Sequence, residues 1–507
     1  MALSRKNILQ LLAVSLTILI LAGMIVFFVK VYAYVQSPDA SAYDFITPEV
    51  ALIVQADNLT AIQTLDASDK SFLRLLLAPH SYQQWQAVMR LCNELHFLKS
   101  MSSSCPIKLC LYPRESSASF LFLIEVSKSY RKEVQSLFAY LQQHHDVQSF
   151  AYKDWEVYQL KYKEHTLYYV YAQGVLLFGF DQKTIYQSLN QGKNTEKLMN
   201  AELRALESTL RSNHPLHVMV HHPVLHRYVR HKNEALVEEH LLDALSMCDW
   251  SALDIRYMDQ KLILSGYVLL NKEYEGSRFY DSQAQIAIDC GLIPASSIRY
   301  MAWQGDSYDR FKHLNPLTYG TTNDLFDMMK PRSVYFFQRF TDSLCSYLAF
   351  ASDDIDEAHF HLNNAITQNL VDNVFVPDTF HVGTHTIGKI DLPNFFLPVL
   401  PLTADLKRFK AYTYIAPYFI FSDKDSHLLA YLSAFKNHET LCKDARFQDF
   451  NNFCSEQAHF MYYKTLQTDS SSIHFKHLQS KARAYRLQMD AYRKNRMFFT
   501  LVIEMED

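Results

Sequence analysis

The sequence YVYAQGVLLF at residues 169–178 returns in pattern as YTYIAPYFIF at residues 412–421, 243 residues later. In both places, aromatic and branched aliphatic residues flank a short turn, which is the pattern of a β-hairpin. A stretch with helical spacing of its apolar residues follows each hairpin. This segment therefore predicts antiparallel strands followed by a helix, and it predicts them twice.

Three further matches occur in the same order on either side of this segment. TPEVALIVQAD, which contains Pro48, resembles IPASSIRYMAWQGD, which contains Pro294. HVMV at His217 resembles HFMY at His459, and residues 253–270 resemble residues 487–505. Because the order is kept, we expect a duplication. The predicted fold class is α+β, with repeats at 42–284 and 285–507, each of mainly antiparallel sheet with packed helices.

Periodicity predicts the individual elements of the first repeat. Alternation predicts three consecutive strands, at Trp155–Tyr162, His165–Ala172 and Val175–Phe180. Apolar residues three and four apart predict a helix at Tyr82–Leu98. The polar stretches at 196–211 and 231–247 are also predicted to contain helices.

Residues 1–36 are predicted to form a membrane anchor. The run Ile8–Val29 holds 22 residues without a charge, which in a helix would measure about 33 Å and cross a hydrocarbon core of about 30 Å. Arg5 and Lys6 precede it, so the N-terminus is expected in the cytoplasm and the rest in the periplasm of a single-pass inner-membrane protein. A cleavable signal ending near Ala33 is the alternative.

Composition limits the class of partner. Hydrophobic residues make up 49% and charged residues 20% of the chain, and the net charge is −4. No basic excess attracts nucleic acid, so no nucleic-acid partner is predicted. The predicted partners are the membrane, through Ile8–Val29, and other envelope proteins.

The eight cysteines leave two alternatives open. In an oxidising compartment Cys105 could pair with Cys110, and Cys442 with Cys454, since each pair is close in sequence. The alternative is that the thiols are buried and unpaired. No C-x-x-C motif occurs, so the sequence gives no support for a zinc ribbon or a thioredoxin-like site.

The order of these segments also carries a resemblance to a family. The strand after Pro48, the tyrosine-rich YYVYAQGVLLFGFDQKTIYQSL, the strand opening with HVMV, and LDIRY with LILSGY after Trp250 together resemble DUF3352-type proteins. The resemblance implies an exported, membrane-anchored bacterial protein of unassigned function. It covers most of the chain after the anchor and implies no active residues.

A histidine-rich stretch, PLHVMVHHPVLHRYVRH, is the candidate binding segment. His222 and His226 have the i, i+4 spacing of a helical zinc pair, but Pro223 lies between them and no H-E-x-x-H motif occurs. We therefore predict neither a metal nor a cofactor. As a hypothesis, His222, His226 and Tyr228 form an exposed face that contacts another envelope protein.

No catalytic motif is present, neither a G-x-S-x-G elbow nor a G-x-G-x-x-G loop, and no catalytic residue is predicted. The sequence favours a non-catalytic, membrane-anchored scaffold or partner-binding protein of the envelope. A carrier or sensor of an apolar ligand, such as a lipid or lipoprotein, is one alternative, and its mark would be a deep apolar cavity. An envelope hydrolase is the other.

Overall fold

The structure, a computed structural model, describes thirteen main stretches of the chain. They are 39–58, 79–94, 105–114, 118–194, 201–232, 248–271, 286–304, 331–340, 343–373, 379–390, 409–465, 482–493 and 496–505, without 212, 288, 353, 383 and 384, and with residues 24, 27, 30, 61 and 198 besides. Among the described residues, none of the helices combines the length and the apolar character that crossing a bilayer needs. Apart from residues 24 and 27, the predicted anchor Ile8–Val29 lies outside them.

The chain divides into two compact units. Unit 1 comprises residues 1–67 and 77–200, and unit 2 comprises residues 68–76 and 201–507. The boundary expected at 284/285 therefore falls inside unit 2. Each unit is described by itself below.

In its described ranges, unit 1 has an antiparallel sheet and three complete α-helices. Its strands are β1 (Leu52–Ala56), β2 (Ile107–Pro113), β3 (Ala118–Glu125), β4 (Val147–Tyr152), β5 (Trp155–Tyr162), β6 (His165–Ala172) and β7 (Val175–Gly179). Its helices are α1 (Pro79–Glu94), α2 (Arg131–His144) and α3 (Gln182–Lys193), with short 3₁₀ helices at Ala42–Phe45 and Lys128–Tyr130. The strand order is β4-β5-β6-β7-β3-β2-β1.

The predicted strands of unit 1 are confirmed. β5 and β6 have the predicted bounds, and β7 ends one residue early. Gln173 and Gly174 join β6 to β7 with φ of 48° and 83°, the backbone that a tight two-residue hairpin turn requires. The predicted helix at Tyr82–Leu98 is found as α1, which begins at Pro79 because proline suits the first turn of a helix.

Unit 2 contains most of the strands. They are β8 (Leu216–His221), β9 (Cys248–Met258), β10 (Lys261–Leu270), β11 (Ile286–Ala287), β12 (Ser297–Gln304), β13 (Pro331–Phe340), β14 (Leu344–Ser352), β15 (Thr379–Val382), β16 (His385–Lys389), β17 (Ala411–Ile415), β18 (Tyr418–Ser422), β19 (Gln457–Ala458), β20 (Phe460–Thr465), β21 (Ala482–Arg493) and β22 (Arg496–Met505). β11 pairs with β19 in a small separate sheet.

Five α-helices are described in unit 2. They are α4 (Ala201–Glu207), α5 (His222–Lys232), α6 (Ile355–Asn373), α7 (Asp425–Lys436) and α8 (Ala445–Asn451), with a 3₁₀ helix at Leu441–Lys443. The helix predicted in 196–211 is found only as α4. The helix predicted in 231–247 falls, beyond residue 232, outside the described residues.

One continuous antiparallel sheet runs through unit 2, and it corrects the predicted fold class. Its order is β8-β9-β10-β22-β21-β20-β12-β13-β14-β18-β17-β16-β15. β10 pairs with β22 from Lys261↔Glu504 to Leu269↔Arg496. Strands from both predicted repeats thus share one sheet instead of forming two separate units. Of the described residues, 47% are in strands and 32% in helices, and they do not include the membrane-spanning helix of the predicted architecture.

The order of pairing nevertheless repeats along the chain. In unit 1 the order β1-β2-β3-β7-β6-β5-β4 has the same form as β12-β13-β14-β18-β17-β16-β15 in unit 2. Within unit 2, β8-β9-β10 corresponds to β20-β21-β22. The similarity seen in the sequence is therefore a similarity of strand order, and the division into compact units does not follow it.

A disulfide and a group of buried aromatic rings stabilise unit 2. Cys290 and Cys442 are bonded, with Cα atoms 4.9 Å apart. The pairings suggested by sequence proximity are wrong, because Cys105, Cys110 and Cys454 are all free thiols. The fully buried Tyr431 donates its hydroxyl to the carbonyl oxygen of Leu292 at 2.9 Å, so its one polar group is satisfied inside the core.

Candidate functional site

The histidine-rich stretch forms the end of β8 and the whole of α5. Pro223 does not break the helix, as the sequence analysis assumed it would, because it lies in the first turn, where its missing N–H is not needed. His222 is only 7% exposed, and its Nε2 lies 3.2 Å from Oγ of Ser251 on β9. Burial, and secondarily the neighbouring His221, lowers the pKa of His222 to about 3.

The three residues predicted to contact a partner do not share an exposed face. His222 is buried, His226 and Tyr228 are half-buried, and Arg227 between them is exposed. His222 is held by its packing against β9 and is not available to a partner. Only His226 and Tyr228 of the predicted set reach the surface.

Two histidines of unit 2 lie opposite an aspartate on the neighbouring strand. Nδ1 of His217 on β8 lies 2.8 Å from Oδ1 of Asp254 on β9, and both side chains are buried. His459, just before β20, lies opposite the half-buried Asp490 on β21, whose pKa is raised to about 6 because burial outweighs the hydrogen bond from Gln488 and the nearby positive charges. The backbone N–H of Arg211 also donates to Asp254 at 3.2 Å. These pairs join neighbouring strands, and we interpret them as structural groups of the sheet.

A small apolar cavity lies in unit 1 between the helices α1 and α2 and the strands β5, β6 and β7. Its volume is about 30 Å³, enough for roughly two water-sized groups. Leu91, Leu141 and Phe138 line it from the helices, and Tyr169 lines it from β6. The Tyr169 hydroxyl is buried and has no hydrogen-bond partner among the described residues, and burial raises its pKa.

The outer edge of β4 is open among the described residues of unit 1. β4 pairs with β5 in unbroken register, and in unit 1 the described residues place no strand on its other side. The N–H of Lys161 donates to the carbonyl of Asp146. Along β4, every second residue counted from Asp146 therefore bonds to β5, and the residues between them do not. The residues whose N–H and C=O groups point away from β5 are therefore Val147, Ser149 and Ala151.

Neither the sequence nor the geometry of β4 protects this edge. The strand VQSFAY carries no charge and no proline, and none of its residues forms a bulge against β5. Ser149 and Ala151 are exposed, and the Phe150 ring is 36% exposed. Exposed edges are usually blocked by charges, prolines, bulges or a covering element. The sequence pattern does not predict this strand, because four of its six side chains are exposed and no buried face marks it.

Comparison with known proteins gives little information. No family model and no curated protein matches the chain, so the resemblance to DUF3352-type proteins stays a prediction. The solved structure described as "Structure of crystal form I of TP0453" is similar over 46% of this chain and 80% of that chain, with 8% identity and a TM-score of 0.27. A similarity of this size supports no inference about fold or function.

Proposed function

We propose that this protein is a partner-binding scaffold of the cell envelope and that the edge of β4 receives an extended segment of its partner. The observation that carries the proposal is the row of outward N–H and C=O groups at Val147, Ser149 and Ala151. An added strand would pair with these groups and extend the sheet of unit 1. This is β-strand addition, in which the main chain supplies affinity and alternate side chains supply specificity.

The exposed side chains of β4 indicate what the partner segment would look like. With no charge on β4, a charged segment would gain nothing in exchange for its lost hydration. Phe150 offers an apolar surface beside the edge, and the small Ser149 and Ala151 leave room on the opposite face. The expected partner segment is extended and uncharged. Every second side chain of it is apolar, on the face that contacts Phe150.

Location in the envelope rests on the sequence and on the cysteines. The run Ile8–Val29 supports a membrane anchor, and the Cys290–Cys442 disulfide is of the kind that persists in oxidising compartments. Protease added to spheroplasts should digest both units and leave an N-terminal stub. Full protection of the chain would refute a periplasmic location, and a mature chain beginning near Tyr34 would show a cleaved signal instead of an anchor.

Site-specific photocrosslinking tests the edge itself. p-Benzoylphenylalanine placed at Phe150 should give a discrete adduct in native membranes, whereas the same group at Phe360, exposed on α6, should not. Ser149→Pro removes an outward N–H without removing a bond of the β4–β5 ladder, and it should abolish the adduct. Ser149→Ala changes only the side chain and should keep it. An adduct that survives Ser149→Pro would refute strand addition, and an adduct of twice the chain mass would identify a second copy as the partner.

The cavity beside Tyr169 does not favour the alternative function of an apolar-ligand carrier. Its volume of about 30 Å³ holds roughly two water-sized groups, whereas such a carrier needs a deep apolar cavity of ligand size.

A further inference from the structure

A serine, a histidine and an aspartate meet in unit 2 where the β13–β14 hairpin lies against the start of α7. Nδ1 of His427 lies 2.6 Å from Oδ1 of Asp423, and Nε2 of the same ring lies 3.4 Å from Oγ of Ser343. Asp423 and His427 are buried, at 8% and 7% exposure, whereas Ser343 is exposed. The carboxylate and the base are thus shielded from water, and the hydroxyl is accessible to a substrate.

The contacts set the tautomer of the imidazole. A carboxylate only accepts hydrogen bonds, so the Nδ1–H of His427 donates to Asp423. Nε2 then carries the lone pair and accepts from the hydroxyl of Ser343. The separation of 3.4 Å is longer than the usual 2.6–3.2 Å between nucleophile and base, and such contacts are often longer without substrate. We propose that Ser343 is a nucleophile for acyl transfer, with His427 as general base and Asp423 as the residue that orients it.

Surrounding contacts hold the aspartate and the base in place. Asp423 follows directly after β18, and His427 lies one helical turn further on, in the first turn of α7. Oγ of Ser422, whose hydroxyl donates to the carbonyl of Ser346 at 3.0 Å, lies 3.3 Å from Oδ1 of Asp423. The hydroxyl of Tyr347 donates to the carbonyl of His427 at 2.9 Å, fixing the backbone that carries the ring. The base therefore does not depend on a loop for its position.

The surface beside Ser343 indicates the class of substrate. Phe340 and Leu344 are opposite each other in the β13–β14 register, directly before and after the turn. Their side chains are 56% and 36% exposed and form a small apolar surface next to Ser343. This pair would contact an apolar acyl chain, so the substrate class is a carboxylic ester with an apolar acyl group.

The reaction needs no component besides the ester and water. Oγ of Ser343 forms a bond to the carbonyl carbon while its proton passes to Nε2 of His427. The ester C–O bond then breaks, and the leaving alkoxide takes that proton. Water, deprotonated by His427, attacks the acyl-serine, which releases the carboxylic acid and restores Ser343. This activity would be additional to partner binding and does not depend on it.

Labelling with an alkyl fluorophosphonate tests the nucleophile, with the labelled residue identified by mass spectrometry of the full chain. Ser343 should react on the order of 100-fold faster than Ser426, an exposed serine on the first turn of α7, because a positioned base contributes 10²–10⁴ in rate. His427→Gln should reduce labelling of Ser343 to about the rate of Ser426. Equal rates at the two serines in the unaltered protein would overturn the proposal, whether or not His427→Gln folds.

Ester hydrolysis tests the apolar pair separately. Ser343→Ala should abolish hydrolysis of both p-nitrophenyl octanoate and p-nitrophenyl acetate. Phe340→Ala should lower kcat/KM for the octanoate about tenfold more than for the acetate, because only the longer chain reaches the ring. Hydrolysis that survives Ser343→Ala would refute the nucleophile, and an equal effect of Phe340→Ala on both esters would refute the assignment of the acyl surface.

Discussion

Protonation of His222 should make unit 2 unstable in mild acid. Burial lowers the pKa of this histidine from its ordinary value of 6.5 to about 3, so the folded state holds it neutral where the unfolded chain binds a proton. The contribution of the neutral His222 to the free energy of unfolding is therefore fully present above pH 6.5 and is lost as the pH falls from 6.5 towards 3. At about 1.36 kcal/mol per pH unit the whole loss is on the order of 5 kcal/mol, of which about 2 kcal/mol falls between pH 7 and pH 5.

Urea unfolding of the wild type and of His222→Gln, each at pH 7 and pH 5, measures this contribution. Fluorescence of Trp250 follows the transition, since this ring stacks on His221 at 4.3 Å beside the site. The wild type should lose about 2 kcal/mol more than His222→Gln between the two pH values, because groups common to both proteins cancel. His144→Gln, which alters an exposed histidine of unit 1, should lose as much as the wild type. An equal loss in the wild type and His222→Gln would refute the reasoning.

Three further substitutions test other parts of unit 2 by urea or thermal unfolding. Replacing Cys290 and Cys442 together by serine should lower the free energy of unfolding by about 2–5 kcal/mol, since the bond closes a loop with a sequence separation of 152; no change would contradict a formed disulfide. Gly266→Ala should cost at least about 2 kcal/mol, because its Cβ would lie 2.1 Å from a carbonyl oxygen of β9; a neutral effect would contradict that close approach. His217→Leu should lower the free energy of unfolding by about 1–3 kcal/mol, because the buried Asp254 loses the hydrogen bond from His217 and keeps only its contacts with Arg211. His217→Leu combined with Asp254→Leu should cost less, and the reverse order would refute the pairing.

Local alternation was enough to predict the hairpins, but not how the strands combine. The bounds of Trp155–Tyr162 and His165–Ala172 follow from side chains that alternate between two faces, a signal contained within each strand. The pairing of β10 with β22 joins segments more than 200 residues apart. The alternation of side chains within each strand does not specify which other strand it pairs with. The sequence therefore indicated two separate sheets where unit 2 has one.

The candidate sites were hidden from the sequence for a similar reason. Asp423 and His427 are four residues apart, but Ser343 is 84 residues before the histidine, and only the packing of a hairpin against α7 brings it near. His222 looked like an exposed polar residue because its burial depends on Ser251, which lies on another strand. The disulfide partner of Cys290 lies 152 residues away, so proximity in sequence pointed to the wrong pairs.

The β10–β22 ladder also determines when unit 2 can finish folding on the ribosome. β10 ends at residue 270, and its partner strand is not complete until residue 505. At elongation rates of about 5–20 residues per second, those roughly 230 residues take on the order of 10–50 s to synthesise. Throughout that time the edge of β10 that faces β22, with Ile263, Leu264 and Val268 on the strand, lacks its partner strand. A truncation that removes β22 would leave this edge permanently open to aggregation.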